Sequence, residues 1–341
     1  GRSMFPKSCR RCLLPETAPG VRLDETDLCN ICQTTPSIAE LAKVREQKLQ
    51  ATEKIISAHR STRRYECVVA FSGGKDSSYT LKLLVEKYAL RCIAITVDNG
   101  FLAGRTLDNC RAVCGGLGVD HVLFTPKRKF MDQVYRTSAL NEDIHSKAAI
   151  RRASSICNSC INLINAHMIQ KAIELGVTLI AGGYIGGQLP RDVAQVTIRP
   201  NAQAKLRSPM VQRFADFFGE EASSYFDLRC VSGELDREIV VINPMLGLGV
   251  REEEIIAALE PLGWKRPKDA GVNSTNCRLN DFGVYIHARR HGFHPYAFEI
   301  AEQLRHGLIS REEATAKLVT LPTKRDVSWL AERLGLDIDA I

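Results

Sequence analysis

The sequence predicts an α/β fold, a doubly wound parallel sheet with a small cysteine-bearing ribbon before it and a helical region after it. Three observations carry that expectation. Five apolar runs (67–71, 92–97, 121–124, 177–181 and 239–242) alternate with helical patterns near 76–88, 104–116 and 160–175. The runs are continuously apolar, as strands covered on both faces are. Beyond Pro244 the apolar spacing is helical to the end of the chain.

In chain order, the first 35 residues read as loop, with Pro6, Pro15, Pro19, Gly20 and two cysteine pairs. Ser37 with Glu40 forms a capping-box signal for a helix that runs to about Ile56. The strand-helix alternation then occupies the middle of the chain. Residues 184–213 show no clear period and read as a long connection or lid. The tail predicts helices over 250–260, 279–291 and 295–306, then one capped by Ser310 with Glu313 and a last one opened by Thr323. Boundaries follow at 4–35, 36–64, 65–250 and 251–341. Residues 1–3 read as a cloning scar before the native Met4, with no signal peptide expected behind it.

A chain of 341 residues has material for about two domains and a sizeable core. No stretch approaches the roughly 18 uncharged apolar residues of a membrane span. The formal net charge of +7 suits an anionic small substrate better than a nucleic-acid track. The basic runs at 60–64, 127–129, 151–152 and 289–290 read mainly as solvated faces. Twelve cysteines in a long chain with an ordinary core do not make a secreted disulfide scaffold. Their C-x2-C spacing points to metal or redox chemistry in the reducing cytoplasm.

Cys9-x2-Cys12 and Cys29-x2-Cys32 stand 16 residues apart, a spacing that suits four thiolates around tetrahedral Zn2+. So few apolar residues lie between them that the segment needs the metal to fold. With all four positions filled by Cys, no coordination site stays open, and the expected role is architectural or for docking.

After the strand ending at Ala70-Phe71 comes Ser72-Gly73-Gly74-Lys75-Asp76-Ser77-Ser78, then a helical pattern. Two glycines and small hydroxyl residues at a helix start make an anion site, where backbone N–H groups approach phosphate oxygens. Lys75 would add a cation and Asp76 would hold Mg2+ riding on the phosphates. The spacing fits neither G-x4-G-K-[ST] nor G-x-G-x-x-G.

This SGGKDS segment resembles the S-G-G-x-D-S signature of the PP-loop ATPases, the adenine nucleotide alpha-hydrolase superfamily, over about residues 65–250. The resemblance implies a doubly wound, HUP-like sheet and cleavage of ATP between its α and β phosphates. Ser72, Gly74, Asp76, Ser77 and Ser78 would hold pyrophosphate, and Thr96, Val97 and Asp98 would lie beside adenine. Gly182-Gly183 falls where related thiolases carry a second nucleotide motif. The chain departs there, reading Tyr184-Ile185-Gly186 where thiolases commonly continue with His-Asn and an acidic residue.

Cys157-x2-Cys160 and a distant Cys277 form a second set. It is similar to the cluster-bearing thiolases of the superfamily, in which three cysteines hold a [4Fe-4S] cluster and leave one iron free for sulfide. Two other readings stand beside it: a persulfide- or disulfide-forming thiol pair, and inert core cysteines. Cys67, Cys92, Cys110, Cys114 and Cys230 read as core packing. His145, His167, His287, His291 and His294 read as surface or core, and Arg151 and Arg152 as candidate anion contacts.

Both chain ends, CRRCLLPETAPGVRLDETDLCNIC and the stretch from Asn276 through Ala314, resemble the N-acetyl sugar amidotransferase family. Those PP-loop enzymes adenylate an oxygen and let ammonia displace AMP, which would call for a partner glutaminase. The second cysteine set favours sulfur over ammonia, because ammonia transfer needs no such thiolates. The expected function is therefore an ATP-dependent sulfurtransferase that activates a carbonyl oxygen of a small molecule, a purine or an amide, and replaces it with sulfur. The donor would be sulfide, cysteine or a desulfurase. The alternatives are the amidotransferase, a thiolase of tRNA, and a nucleotide-sensing subunit without chemistry. A homodimer contact is expected on the helical tail.

Overall fold

The capping and strand signals resolve into a six-stranded sheet wrapped by fourteen α-helices among the described residues. The protein is seen in a computed structural model that describes residues 6–189, 194–228 and 237–341. Cys230 lies outside the described residues.

The strands are β1 (Cys67–Ala70), β2 (Cys92–Val97), β3 (Asp120–Phe124), β4 (Leu179–Ala181), β5 (Gln195–Ile198) and β6 (Ile239–Ile242), in the order β3-β2-β1-β4-β6-β5. All neighbours pair in parallel except β5, which runs antiparallel to β6. The sheet is thus parallel with one antiparallel edge. The direction of winding reverses between β1 and β4, where α/β sheets of this kind open a crevice at the strands' carboxyl ends.

Alternation along each strand divides the core into two layers. Val68, Ile93, Ile95, Val97, Ile180 and Ile239 face one cluster. Its helical side comes from α5 (Arg128–Leu140), α7 (Ser155–Leu175), α11 (Asn280–His291) and α14 (Lys324–Arg333). Cys67, Val69, Cys92, Ala94, Leu179, Ala181, Val240 and Ile242 face the other, formed with α3 (Lys75–Glu86), α4 (Thr106–Leu117) and α10 (Glu252–Leu259). Side chains alternate faces with a period of two, so a strand covered on both sides must be apolar throughout. Strand β3 departs from this pattern. Its Val122 and Leu123 are exposed because it forms an edge.

Expected caps recur in atomic detail. Ser37 and Glu40 close a reciprocal capping box on α2 (Ile38–Ala58), Ser310 and Glu313 do so on α13 (Arg311–Val319), and Thr323 caps α14. Two expectations are corrected. Within 184–213, β5 and the long helix α8 (Pro200–Phe218) replace much of the expected connection. The amino-terminal ribbon is not all loop, since the short α1 (Asn30–Thr34) closes its second knuckle.

Candidate functional site

The β1–α3 turn shapes the floor of a cavity. Gly73 adopts φ +77°, and a Cβ there would stand 2.6 Å from Cys110 Sγ, so a side chain is excluded on two grounds. Gly74 occupies the N-cap of α3 without a side-chain cap, leaving the helix's first N–H groups to other partners. The Lys75 N–H donates to Thr275 Oγ1 at 3.0 Å. The Ser72 N–H donates to Ser77 Oγ at 3.2 Å, and the two hydroxyls lie 3.0 Å apart. The carboxyl end of β4 comes close behind. A Cβ on Gly183 would fall 2.9 Å from the Ser77 backbone, and one on Gly182 would fall 2.7 Å from Asn243 Oδ1.

The cavity, about 560 Å³, opens at the winding reversal. Ala70, Phe71, Ser72, Gly74, Lys75, Asp76 and Ser77 line it from the loop, and Ile95, Val97 and Asn99 from β2 and its end. Gly182 and Gly183 line it from β4, and Cys157, Cys160 and Cys277 stand on its far wall. The loop and the second cysteine set, separated widely in sequence, thus share one space.

Four of the expected nucleotide residues do not reach it: Gly73, Ser78, Thr96 and Asp98 are absent from its lining. Ser78 is wholly buried, and its hydroxyl lacks a partner among the described residues. Thr96 faces the opposite layer, where its hydroxyl donates to the Phe71 carbonyl at 2.5 Å and meets His121 Nε2 at 2.8 Å. The strand period explains this, since Ile95 and Val97 face one side and Thr96 the other. Asp98 instead accepts the Gly100 N–H at 2.8 Å.

The three thiols arrive from two directions. Ser154 caps α7 by accepting the Cys157 N–H at 3.1 Å, which places Cys157 and Cys160 three residues apart on the first turns of one helix face. Cys277 is carried by a segment pinned to the β2–α4 connection. The Ala103 N–H donates to Asn276 O at 2.9 Å, the Arg278 N–H donates to Phe101 O at 2.8 Å, and Leu102 bridges Cys277. Burial raises all three thiols, Cys160 to about 12 and Cys277 to about 11, with neighbouring sulfur charge adding to the rise at those two. Cationic or metal charge is needed to hold them as thiolates together. Three thiols around one cavity suit a multi-atom cluster.

Charge gathers at the loop end. Lys75 Nζ lies 2.8 and 2.9 Å from the two Asp76 carboxylate oxygens, so the expected phosphate cation and the expected Mg2+ ligand are engaged with each other. Lys317 donates to Glu252 at 3.0 Å, and burial of Glu252 is outweighed by Lys75 and Lys317, which bring its carboxyl down to about 2. Glu299, on α12 (Ala297–Arg305), lines the same cavity. Burial first, and the charge of Asp76 second, push it up to about 7 against the pull of Lys75. Glu299 and the amides Asn99 and Asn280 were not legible as site residues. They lie far apart in sequence and carry no motif.

Other expected contacts fall elsewhere. Arg151 stacks over Phe298 at 4.1 Å and Arg152 donates to Gly187 O at 2.5 Å, and neither lines the cavity. None of the five singled-out histidines lines it either. Cys67, Cys92, Cys110 and Cys114 are buried core residues.

Cys9, Cys12, Cys29 and Cys32 bring their sulfur atoms within 4.8 Å of one another, with Cys12 and Cys29 at 3.7 Å. Knuckle N–H groups point at sulfur: Cys29 N lies 3.3 Å from Cys9 Sγ, and Cys32 N 3.4 Å from Cys29 Sγ. This donor set fits one tetrahedral metal ion. The ribbon packs on Phe293, Ala297, Phe298 and Ala301 at the start of α12. Buried Arg305, paired with Glu302 at 2.5 Å, continues that helix stripe.

No family model matches the chain. An uncharacterized protein of Methanocaldococcus jannaschii is 28% identical over 293 residues, 86% of either chain. The argininosuccinate synthase of Dictyoglomus thermophilum is 27% identical over 124 residues, 36% of this chain and 30% of that one. That of Dehalococcoides mccartyi is 30% identical over 137 residues, 39% of this chain and 32% of that one. The chain thus spans about a third of those enzymes. Among solved structures, a U34-tRNA thiolase NcsA of Methanococcus maripaludis with its [4Fe-4S] cluster aligns over 96% of this chain and 97% of its own, at 17% identity and TM-score 0.34. The NMN synthetase of Francisella tularensis aligns over 85% and 100%, at 13% identity and TM-score 0.36. The sequence relatives and the β1–α3 loop agree that this chain is similar to the PP-loop ATPases.

Proposed function

We propose that the protein is an ATP-dependent sulfurtransferase that replaces a carbonyl oxygen of a small molecule with sulfur. The observation that carries this reading is one cavity shared by the SGGKDS loop and three thiols. A carbonyl oxygen leaves poorly, and adenylation makes it a good leaving group. The acceptor oxygen attacks the α-phosphorus of ATP and pyrophosphate departs onto the loop N–H groups, with Mg2+ carried by the nucleotide. Lys75 and Asp76 part to meet the phosphates and the metal. A sulfur nucleophile then adds to the same carbon, and AMP leaves with the original oxygen. With sulfide as donor no electrons change hands, and its two protons pass to solvent or to a nearby base.

Cys157, Cys160 and Cys277 would hold a [4Fe-4S] cluster, which when bound supplies an iron free to keep sulfide close to the activated carbon. Asn99 and Asn280 present amides to the same wall, and Ile95 and Val97 offer an apolar face to the adenine. Zn2+ would occupy the four-cysteine ribbon, and a purine or amide is the acceptor class proposed. A small-molecule acceptor is preferred to tRNA because no separate RNA-binding module stands out in the sequence.

The test is product analysis. Purified protein given ATP, sulfide and candidate lactams is expected to release AMP and pyrophosphate in equal amounts. Release of ADP and phosphate would contradict the reading. Both chain ends resemble amidotransferases, so turnover with ammonia in place of sulfide, undiminished in Cys157→Ala, would establish that alternative.

A further inference from the structure

The far wall of the cavity holds an arrangement that the reaction scheme does not use. Each of its three sulfur atoms faces a side-chain donor, and each donor belongs to a different element. Asn99 Nδ2, just beyond β2, lies 3.2 Å from Cys277 Sγ. Tyr135 Oη, on α5, lies 3.7 Å from Cys160 Sγ. Asn280 Nδ2, on α11, lies 3.9 Å from Cys157 Sγ and also meets Tyr296 Oη at 2.5 Å. Tyr135 is wholly buried in the core, packed edge-on against Phe101 at 5.8 Å. A buried phenol needs a hydrogen-bond acceptor, and this one is turned to sulfur. In the core, Cys67 Sγ donates to the neighbouring Val68 carbonyl at 3.6 Å and Cys110 Sγ meets the single hydroxyl of Thr96 at 3.7 Å, whereas here three donors converge on three sulfur atoms of one wall.

We infer that Tyr135 and Asn99 are positioning residues that donate to the sulfur ligands of the cluster and thereby set its reduction potential. The inference rests on the proposed cluster reading. A thiolate sulfur on a cluster carries negative charge that grows when the cluster gains an electron. A donor aimed at that sulfur stabilises the reduced form more than the oxidised form, so it raises the potential. Removing the donor lowers it. Tyr135 is suited to this role because no solvent competes for its hydroxyl. Asn99 is held in place because its Oδ1 accepts the Phe101 N–H at 2.9 Å, leaving Nδ2 aimed at Cys277. Asn280 divides its amide between Cys157 and Tyr296, so its contribution is weaker.

The experiment uses the full chain, reconstituted anaerobically with iron and sulfide. Iron and labile sulfide are quantified, and the potential is read by a redox titration followed by electron paramagnetic resonance. Tyr135→Phe removes one oxygen and keeps the ring in place. It is expected to keep the iron content of the parent and to shift the potential downward. Asn99→Leu is expected to do the same through Cys277, and the two shifts to add in the double variant. Parent-like iron with an unshifted potential in both variants overturns the inference and leaves the cluster intact. Parent protein that takes up no iron overturns the cluster reading and the inference with it.

Discussion

Glu299 is the residue whose chemistry the sequence hides most completely. It lies on α12 with no motif around it, yet burial and Asp76 raise its carboxyl to about 7. The folded state therefore favours its protonated form. Its contribution to stability is fully present below the ordinary carboxylate range and is lost as pH rises through about 7. Glu299→Gln holds the neutral form at every pH. Denaturant titrations from pH 4 to 8 should show the parent losing stability relative to this variant as pH rises, by on the order of 3 kcal/mol across the interval. A pH-independent difference would show that Glu299 is not buried against Asp76.

Gly183 makes a second prediction at the same scale. A methyl there would stand 2.9 Å from the Ser77 backbone, which cannot swing aside as a side-chain tip can. Gly183→Ala is expected to cost about 1–3 kcal/mol of stability and to weaken ATP binding measured by calorimetry, because the loop must move. The SGGKDS loop and the three C-x2-C pairs were legible as residue types at fixed spacings, whereas the distant Cys277 was joined to its set only through a resemblance. Thr96 was not read correctly. Its place beside Val97 conceals that neighbours on a strand face opposite layers, so only Ile95 and Val97 reach the cavity.

Among elements, α12 links two sites. The ribbon cysteines pack on its Ala297, Phe298 and Ala301, while its Glu299 faces the cavity. Stripping metal from the ribbon with a chelator should unfold residues 6–35 and loosen α12. The expected readouts are metal loss by colorimetric assay, rapid proteolysis near the amino terminus and a lower melting temperature. Unchanged protease resistance after metal loss would mean that the ribbon holds its shape through packing alone. The capping boxes at Ser37 and Ser310 and the helix start at Thr323 were plain in sequence because they rest on local hydrogen bonds. The β5–α8 segment was not. Residues Gln195–Thr197 are exposed on an edge strand, and Pro209 interrupts the helix pattern. Neither element carries the apolar period that marks a buried one.

At the scale of the molecule, strand order decides where the cavity opens. The chain returns across the sheet after β3, and this reversal opens the crevice into which the β1 loop and the β4 glycines project. The return of the tail then lays Thr275 over the loop, which no sequence pattern foretold, and carries Cys277 to the far wall beside Leu102. No described helix is long and apolar enough to cross a membrane.

Cys157, Cys160 and Cys277 are proposed to serve sulfur chemistry beside the SGGKDS loop. The most direct measurement is anaerobic purification with iron, labile sulfide and zinc quantified in the parent and in Cys157→Ala. About four iron and four sulfide per chain are expected in the parent, with one zinc in both proteins and loss of the iron alone in the variant. Zinc without iron in the parent, even after reconstitution, would contradict that role.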